Sequence, residues 1–441
     1  MKSSEDKTEN LKKEKLSKKN KAQKIHAGRD GQVNAIVSLH KEFFGVEPLV
    51  VATAPCRFHL MGERSWFFGG KTISMGIDKF VSVSVSRRND DNLYFHSAES
   101  GETKHISLSA LRFRKEDKWA NSIKAVVHGL VSEKLFDLSD GVLGFDFCVA
   151  SDFPQFAGMG VTTALKICAA AALNDVLELD CSDSEIFSII DKGNTEFLKE
   201  GKNGVVENHF AENITAMFSK KNSVVFTDHS DKVLSQSSFS TVDFDFPGKS
   251  ILLVDTKVPR FTVWDESSIM KAEYKSLLSS IKVKKSVFGG WGYDSDSEVN
   301  SALGSVFGVD NKHLLGIVKE HKFVLDAYDA MFKKDFVAFV KAVNSSHSVM
   351  SELYDMSCPE IDWILRRLVE INPNSDGKHT PVCCGRVTGK GMSRHLYAIL
   401  DDSHVPEFEE RLSDYTKIFG FKTSCHKIES ADGVQITKVG K

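Results

Sequence analysis

With 441 residues, 41% of them hydrophobic and 27% charged, the chain has a globular composition, and its length implies two domains rather than one core. No apolar run reaches the ~18–20 residues that cross a bilayer, and the N-terminus lacks the apolar centre of a signal peptide, so a cytoplasmic protein without membrane association is expected. The formal net charge of −3 hides an asymmetry: positions 1–24 hold nine Lys against four acidic residues, and the rest shows no basic face of the kind nucleic-acid binding requires. The eight cysteines have neither CxxC spacing nor His partners at zinc-ligand spacing, and adjacent Cys383 and Cys384 do not suit a disulfide. Free thiols in a reducing compartment are the expectation.

In chain order, residues 1–28 are Lys, Glu, Ser and Asn with almost nothing apolar. They read as a disordered tail, either plainly solvated or able to bind anions or membranes. Val33, Ile36, Val37, Leu39, Phe43 and Phe44 are spaced as one face of a helix over 33–44. Strands are expected over 49–53 and 80–86, the second from the alternation in KFVSVSVSRR. An amphipathic helix over 119–130, a strand over 145–150 and an Ala-rich helix over 161–177 follow. The Ala-rich helix is small enough on most faces to lie inside a packed layer. Strands over 222–227 and 251–255 flank a domain boundary placed near 235–245. Beyond it come helices over 312–332, 336–351 and 361–371, then strands at 386–387, 396–400 and near the C-terminus. Strands mixed with helices in both halves indicate an α+β protein, with a tail at 1–28 and lobes at 29–240 and 241–441.

The segment TAPCRFHLMGERSWFFGGKTISMGIDKFVSVSV (53–85) resembles the signature A-P-G-R-x-N-L-I-G-E-H-x-D-Y-x-G-G of galactokinases, which leads into a strand and A-I-D. Ala54, Pro55, Arg57, Leu60, Gly62, Glu63, Gly69, Gly70, Ile77 and Asp78 match. WANSIKAVVHGL (119–130), GFDFCVASDFP (144–154), NSSHSVMSELYDMSCPEID (344–362) and GRVTGKG (385–391) resemble further blocks of that family, in family order. The resemblance implies the two-lobed GHMP-kinase fold with the active site in the cleft between lobes. It implies ATP-dependent phosphorylation of galactose or a related sugar at the 1-hydroxyl. ATP and Mg²⁺ come with it, as do a sugar and a nucleotide as partners and a monomeric state.

Phosphoryl transfer needs a cradle for the triphosphate, groups that aim the hydroxyl, and charge that offsets what develops on the moving phosphoryl. By resemblance the cradle is PQFAGMGVTTA (154–164). Ala157 and Gly158 match the family loop, Phe156 stands where its first Gly is expected, and Gly160, Val161 and Thr162 replace serines. Thr162 and Thr163 still supply hydroxyls, Thr162 to Mg²⁺, so the loop is either a modified cradle or one that no longer binds phosphate. After Gly391 the third motif is replaced by Met392, Ser393, Arg394 and His395, and Arg394 contacts a phosphate or faces water at a strand edge.

The family's base is the Asp of G-I-M-D-Q-F. Aligning GVVENHF (204–210) on Phe210 puts Asn208 there; aligning on Gly204 puts Glu207 there. One residue is about 100° of helix rotation, so the two do not both face the cleft. The continuation HFAENITAMF favours Asn208, which accepts no proton, whereas Glu207 preserves the chemistry. Arg57, the base's partner by resemblance, lowers a neighbouring carboxylate's pKa and offsets phosphoryl charge, or else braces a strand end. Glu63 is retained for a sugar hydroxyl. Trp66 replaces the Asp that holds vicinal hydroxyls, and either stacks on a hexose or fills the pocket. In 257–274, Glu266, Ile269 and Met270 stand near the family's Asn and Arg pair, and the acidic loop 293–300 has no calcium-ligand spacing. Two functions follow: a sugar kinase of altered specificity, or a non-catalytic homologue acting as a sugar or nucleotide sensor. A nucleic-acid role for the basic tail has only composition behind it.

Overall fold

A computed structural model of the chain describes residues 28–63, 69–136, 144–153, 158–199, 209–230, 234–235, 237–259, 309–371, 382–389 and 394–439. The tail, Trp66, the region 260–308 and the acidic loop within it lie outside these residues. Two long antiparallel strands, β1 (Val50–Met61) and β2 (Lys71–Arg87), form the centre of the first sheet. Their register slips between Pro55 and Cys56 and again between His59 and Met61. Proline has no N–H to give the ladder, so the first slip falls where pairing is weakest. Beyond it, Arg57 and His59 share one face of β1 by the two-residue period of a strand.

The eight-stranded sheet runs β12 (Gln435–Lys438), β1, β2, β5 (Phe145–Ser151), β3 (Asn92–Ser97), β4 (Thr103–Ser107), with β6 (Ser223–Asp228) on the far half of β2 and β7 (Phe239–Asp243) beside β6. The four-stranded sheet runs β11 (Ser424–Ile428), β8 (Lys249–Asp255), β10 (His395–Asp401), β9 (Cys384–Thr388). Among the described residues, the strands change from one sheet to the other between Asp243 and Lys249, and only β12 returns to the first.

Helix α1 (Gly28–Phe44) lies on one face of the first sheet and buries an unusual polar pair. Gln32 accepts from Ser82 at 2.7 Å, and the His40 ring bonds Ser84 at 2.8 Å and Ser86 at 2.9 Å. Burial without an ionic partner pushes His40 down to about 4. The other face is covered by α2 (Ala120–Ser132), α3 (Val161–Val176), α4 (Asp183–Lys192) with a π turn at Gly193–Phe197, and α5 (Phe210–Phe218). Alanines at 169–172 let α3 press against β1 and β2, as its composition predicts, and nearly all its residues are buried. The second sheet carries α7 (Phe336–Glu352) and α8 (Pro359–Val369), with α9 (Val405–Phe419) packed on α8, while α6 (Val309–Phe332) packs on α7 and reaches β2 and β7. Val324 and Ala327 of α6 and Phe339 of α7 belong to the same apolar cluster as β1 and β2, so packing is continuous between the sheets. All eight cysteines are free. No helix among the described residues is long and apolar enough to cross a membrane.

Candidate active site

The chain enters α3 through two glycines with positive φ, Gly158 at 75° and Gly160 at 73°. A Cβ on Gly160 would sit 2.9 Å from Arg57 Cγ, so glycine is required there by conformation and by space. Gly160 is the N-cap and no side chain caps the helix, which leaves first-turn N–H groups and the positive end of the dipole for an anion. Thr162 is exposed in that first turn, whereas Thr163 is buried. Ala157 and Phe156 lie outside the described residues.

Arg57 packs beneath this turn. Its backbone N–H donates to Met159 O at 2.8 Å and its Nη1 to Gly158 O at 3.4 Å. The side chain is 2% exposed, and its Nη2 pairs with Glu212 Oε1, itself 2% exposed in the first turn of α5. Burial pushes the guanidinium down to about 10, with Cys56 and Glu63 pushing it back up, so it stays protonated at neutral pH. Glu212 Oε2 accepts from Thr163 Oγ1 at 2.9 Å and lies 3.2 Å from His209 Nδ1. His59 Nε2 is 3.9 Å from Glu212 Oε1, and its other nitrogen bonds Ser74 Oγ at 2.7 Å. One carboxylate thus gathers Arg57 and His59 from β1, Thr163 from α3 and His209 from the start of α5. Its place at a helix N-terminus further favours the ionised form.

The carboxylate set against Arg57 is therefore Glu212, four residues past Asn208, about one helical turn. Asn208 and Glu207 lie outside the described residues. A signal for Glu212 was present in the sequence: Glu212-Asn213-Ile214 keeps the acid, amide, apolar order of D-Q-F, whereas alignment on Phe210 matched only an aromatic ring.

Glu63, expected at the sugar, is engaged by a residue that sequence analysis passed over. Arg386 of β9, fully buried, donates Nη1 to Glu63 Oε1 and Nη2 to Glu63 Oε2, each at 2.8 Å, and Nη2 also to Glu320 Oε1 at 2.9 Å. Ser346 donates to Glu320 at 2.6 Å and accepts from Arg386 Nε at 2.7 Å, and Gly62 N–H donates to Glu320 at 2.9 Å. Two carboxylates share one guanidinium, and burial, with the neighbouring Glu63 charge, holds Glu320 above the ordinary carboxylate range despite the attraction of Arg386. Arg394 pairs with Asp255, Nε to Oδ1, at 2.9 Å.

Comparison with known proteins gives a consistent pattern. A family model described as the galactokinase galactose-binding signature matches residues 38–87, and one for the GHMP kinases N-terminal domain matches 121–211. A Treponema pallidum (strain Nichols) protein provisionally named a galactokinase is 32% identical over 413 residues, 92% of this chain and 97% of that protein. A galactokinase of Thermotoga petrophila is 24% identical over 87% of this chain and 98% of its own. Among solved structures, Lactococcus lactis galactokinase complexed with galactose superposes with a TM-score of 0.77 at 18% identity, covering 92% of this chain and all of that one. The Methanococcus jannaschii mevalonate kinase gives 0.57 at 12% identity, covering 87% of this chain and 98% of that one. The fold is the α+β fold of the GHMP kinases.

Proposed function

Because this chain belongs to the galactokinase family, we propose that it is an ATP-dependent sugar kinase that phosphorylates galactose or a related sugar at the 1-hydroxyl, with Glu212 as the proton acceptor. The observation that carries this reading is the buried Arg57–Glu212 pair beside the N-terminus of α3. A carboxylate within reach of a hydroxyl takes its proton as the oxygen attacks phosphorus, a contribution of about 10²–10⁴ in rate. Arg57 keeps that carboxylate ionised and offsets charge on the transferring phosphoryl.

The left-handed glycines at 158 and 160 and the uncapped start of α3 fit the phosphates of ATP. Bound Mg²⁺ supplies neutralisation of phosphate charge, and we assign the exposed Thr162 hydroxyl to hold it. The sugar-recognition roles of Glu63 and Trp66 belong to the same proposal. In it Arg386 orients Glu63, whose oxygens keep lone pairs for one further donor. The site lies in the cleft between an N-terminal and a C-terminal lobe.

A second reading, a sugar or nucleotide sensor without transfer, has one observation in its favour. Glu212 draws on both Thr163 and Arg57, groups that a kinase would turn toward its substrates. Incubation with ATP, Mg²⁺ and a panel of hexoses, read by mass spectrometry for sugar phosphate, separates the two. Product that disappears in Arg57→Ala supports the kinase. No product from folded protein over hours leaves the sensor.

A further inference from the structure

Transfer of a phosphoryl group from ATP to a hydroxyl releases one proton per turnover at neutral pH. If Glu212 receives that proton, as the reading above holds and on which this inference rests, a carboxylate only 2% exposed must pass it on. Among the described residues, the groups seen facing Glu212 include the charged or titratable Arg57 and His59 from β1 and His209 at the start of α5, and the neutral Thr163 from α3. Arg57 stays protonated and accepts nothing. The His59 side chain is 6% exposed and is turned by its bond to Ser74. His209 has 14% of its side chain exposed and its Nδ1 is 3.2 Å from Glu212 Oε2, so it joins the buried carboxylate to the surface.

Both histidines also depart from the family pattern at this spot. His59 stands at the Asn of A-P-G-R-x-N. His209 stands at the Gly of G-I-M-D-Q-F once Glu212 is set at the Asp. A side chain able to carry protons therefore occupies a position where the family pattern has none.

We propose that His209 is the proton exit of this site, acting through Glu212. The sugar O–H bond breaks, its proton goes to Glu212, and the oxygen forms the bond to the γ-phosphorus while ADP departs with the electron pair. Glu212 then gives the proton to Nδ1 of the neutral His209 ring, and the imidazolium, partly exposed, passes a proton on toward solvent. Exchange with water restores the starting tautomer before the next turnover.

The test uses His209→Gln, which keeps a hydrogen-bond donor for Glu212 but carries no proton, and His209→Ala, which leaves room for free imidazole. In both, kcat at neutral pH is expected to fall by about 10–100-fold, less than removal of the base itself, with KM for sugar and ATP changed by less than about twofold. Added imidazole, at constant pH and ionic strength, raises kcat of His209→Ala and leaves the native protein unaffected. A Gln variant with native kcat across the pH–rate profile, or an Ala variant indifferent to imidazole, overturns the exit while leaving the kinase standing. A native protein that makes no sugar phosphate removes both, and that pattern is distinct from the first.

Discussion

Replacing Glu212 by Gln removes a proton acceptor while keeping a side chain of the same length. The Gln carbonyl still accepts one hydrogen bond, so Arg57 or Thr163 keeps a neutral partner. The charge is what goes, and both members of the original pair are 2% exposed. Breaking such a buried pair by removing one charge costs about 3–5 kcal/mol of stability, the lower end applying when a polar isostere stays. On the reaction, loss of the base costs about 10²–10⁴ in kcat, some 3–5 kcal/mol of barrier. Glu212→Asp keeps the charge at shorter reach and is expected to lose less. Glu207→Gln and Asn208→Ala are expected to stay within about threefold of the native protein, far below the loss for a missing base. Steady-state ADP release, confirmed by mass spectrometry of the sugar phosphate, is the assay, with a thermal melt showing each variant folded. A Glu212→Gln enzyme near native activity, beside a Glu207→Gln enzyme reduced about a hundredfold, would refute the assignment and move the base back to residue 207.

Gly160→Ala forces a left-handed residue, costing about 1–2 kcal/mol, and drives a methyl against the Arg57 stem. It is expected to lower kcat by about tenfold or more for a drop of only a few degrees in melting temperature, read by kinetics and calorimetry. Glu320 is held above its ordinary value by burial, so its contribution to stability is greatest at low pH and declines as pH rises through its folded pKa. Glu320→Gln should therefore gain on the native protein in urea titrations as pH is raised from that of a free carboxyl toward neutrality; an unchanged difference counts against this. His40 has the opposite sign. Held near 4 while the unfolded side chain titrates near 6.5, it supports the fold above pH ~6.5, and that support drains away as pH falls toward 4, by about 1.4 kcal/mol per unit. His40→Gln should flatten that acid limb in chemical denaturation, and a limb of native steepness would exclude His40 as its source.

The helices and strands with unbroken apolar patterns were legible in the sequence, and so was the place of Arg57. The expected helix over 161–177 is found at Val161–Val176, and that over 336–351 at Phe336–Glu352. Two helices carried signals that went unused. The capping box of Ser182 and Glu185 opens α4, and Phe408, Leu412 and Tyr415 give α9 its buried stripe. The serines of β2 alternate like a solvent-facing row, but α1 covers them with Gln32 and His40, and no local rule announces a polar face built to meet another. Pairings across the chain were the least legible. Arg57 meets Glu212 across 155 positions, and Glu63 meets Arg386 across 323. All four residues lie in or beside motif stretches, but which carboxylate faces which guanidinium is set by helix phase and strand register, which short motifs do not encode.

The return of β12 to β1 has a consequence for biosynthesis. Val50–Thr53 of β1 pair with Gln435–Lys438, so one edge of the first sheet gains its partner only when residues 435–438 have left the ribosome. At about 5–20 residues per second, that edge waits roughly 20–75 seconds after β1 emerges. An unpaired strand edge of this kind invites other chains to add to it. The nascent protein is thus most exposed to aggregation in the interval before β12 arrives, and a ribosome stalled short of residue 435 would hold it there.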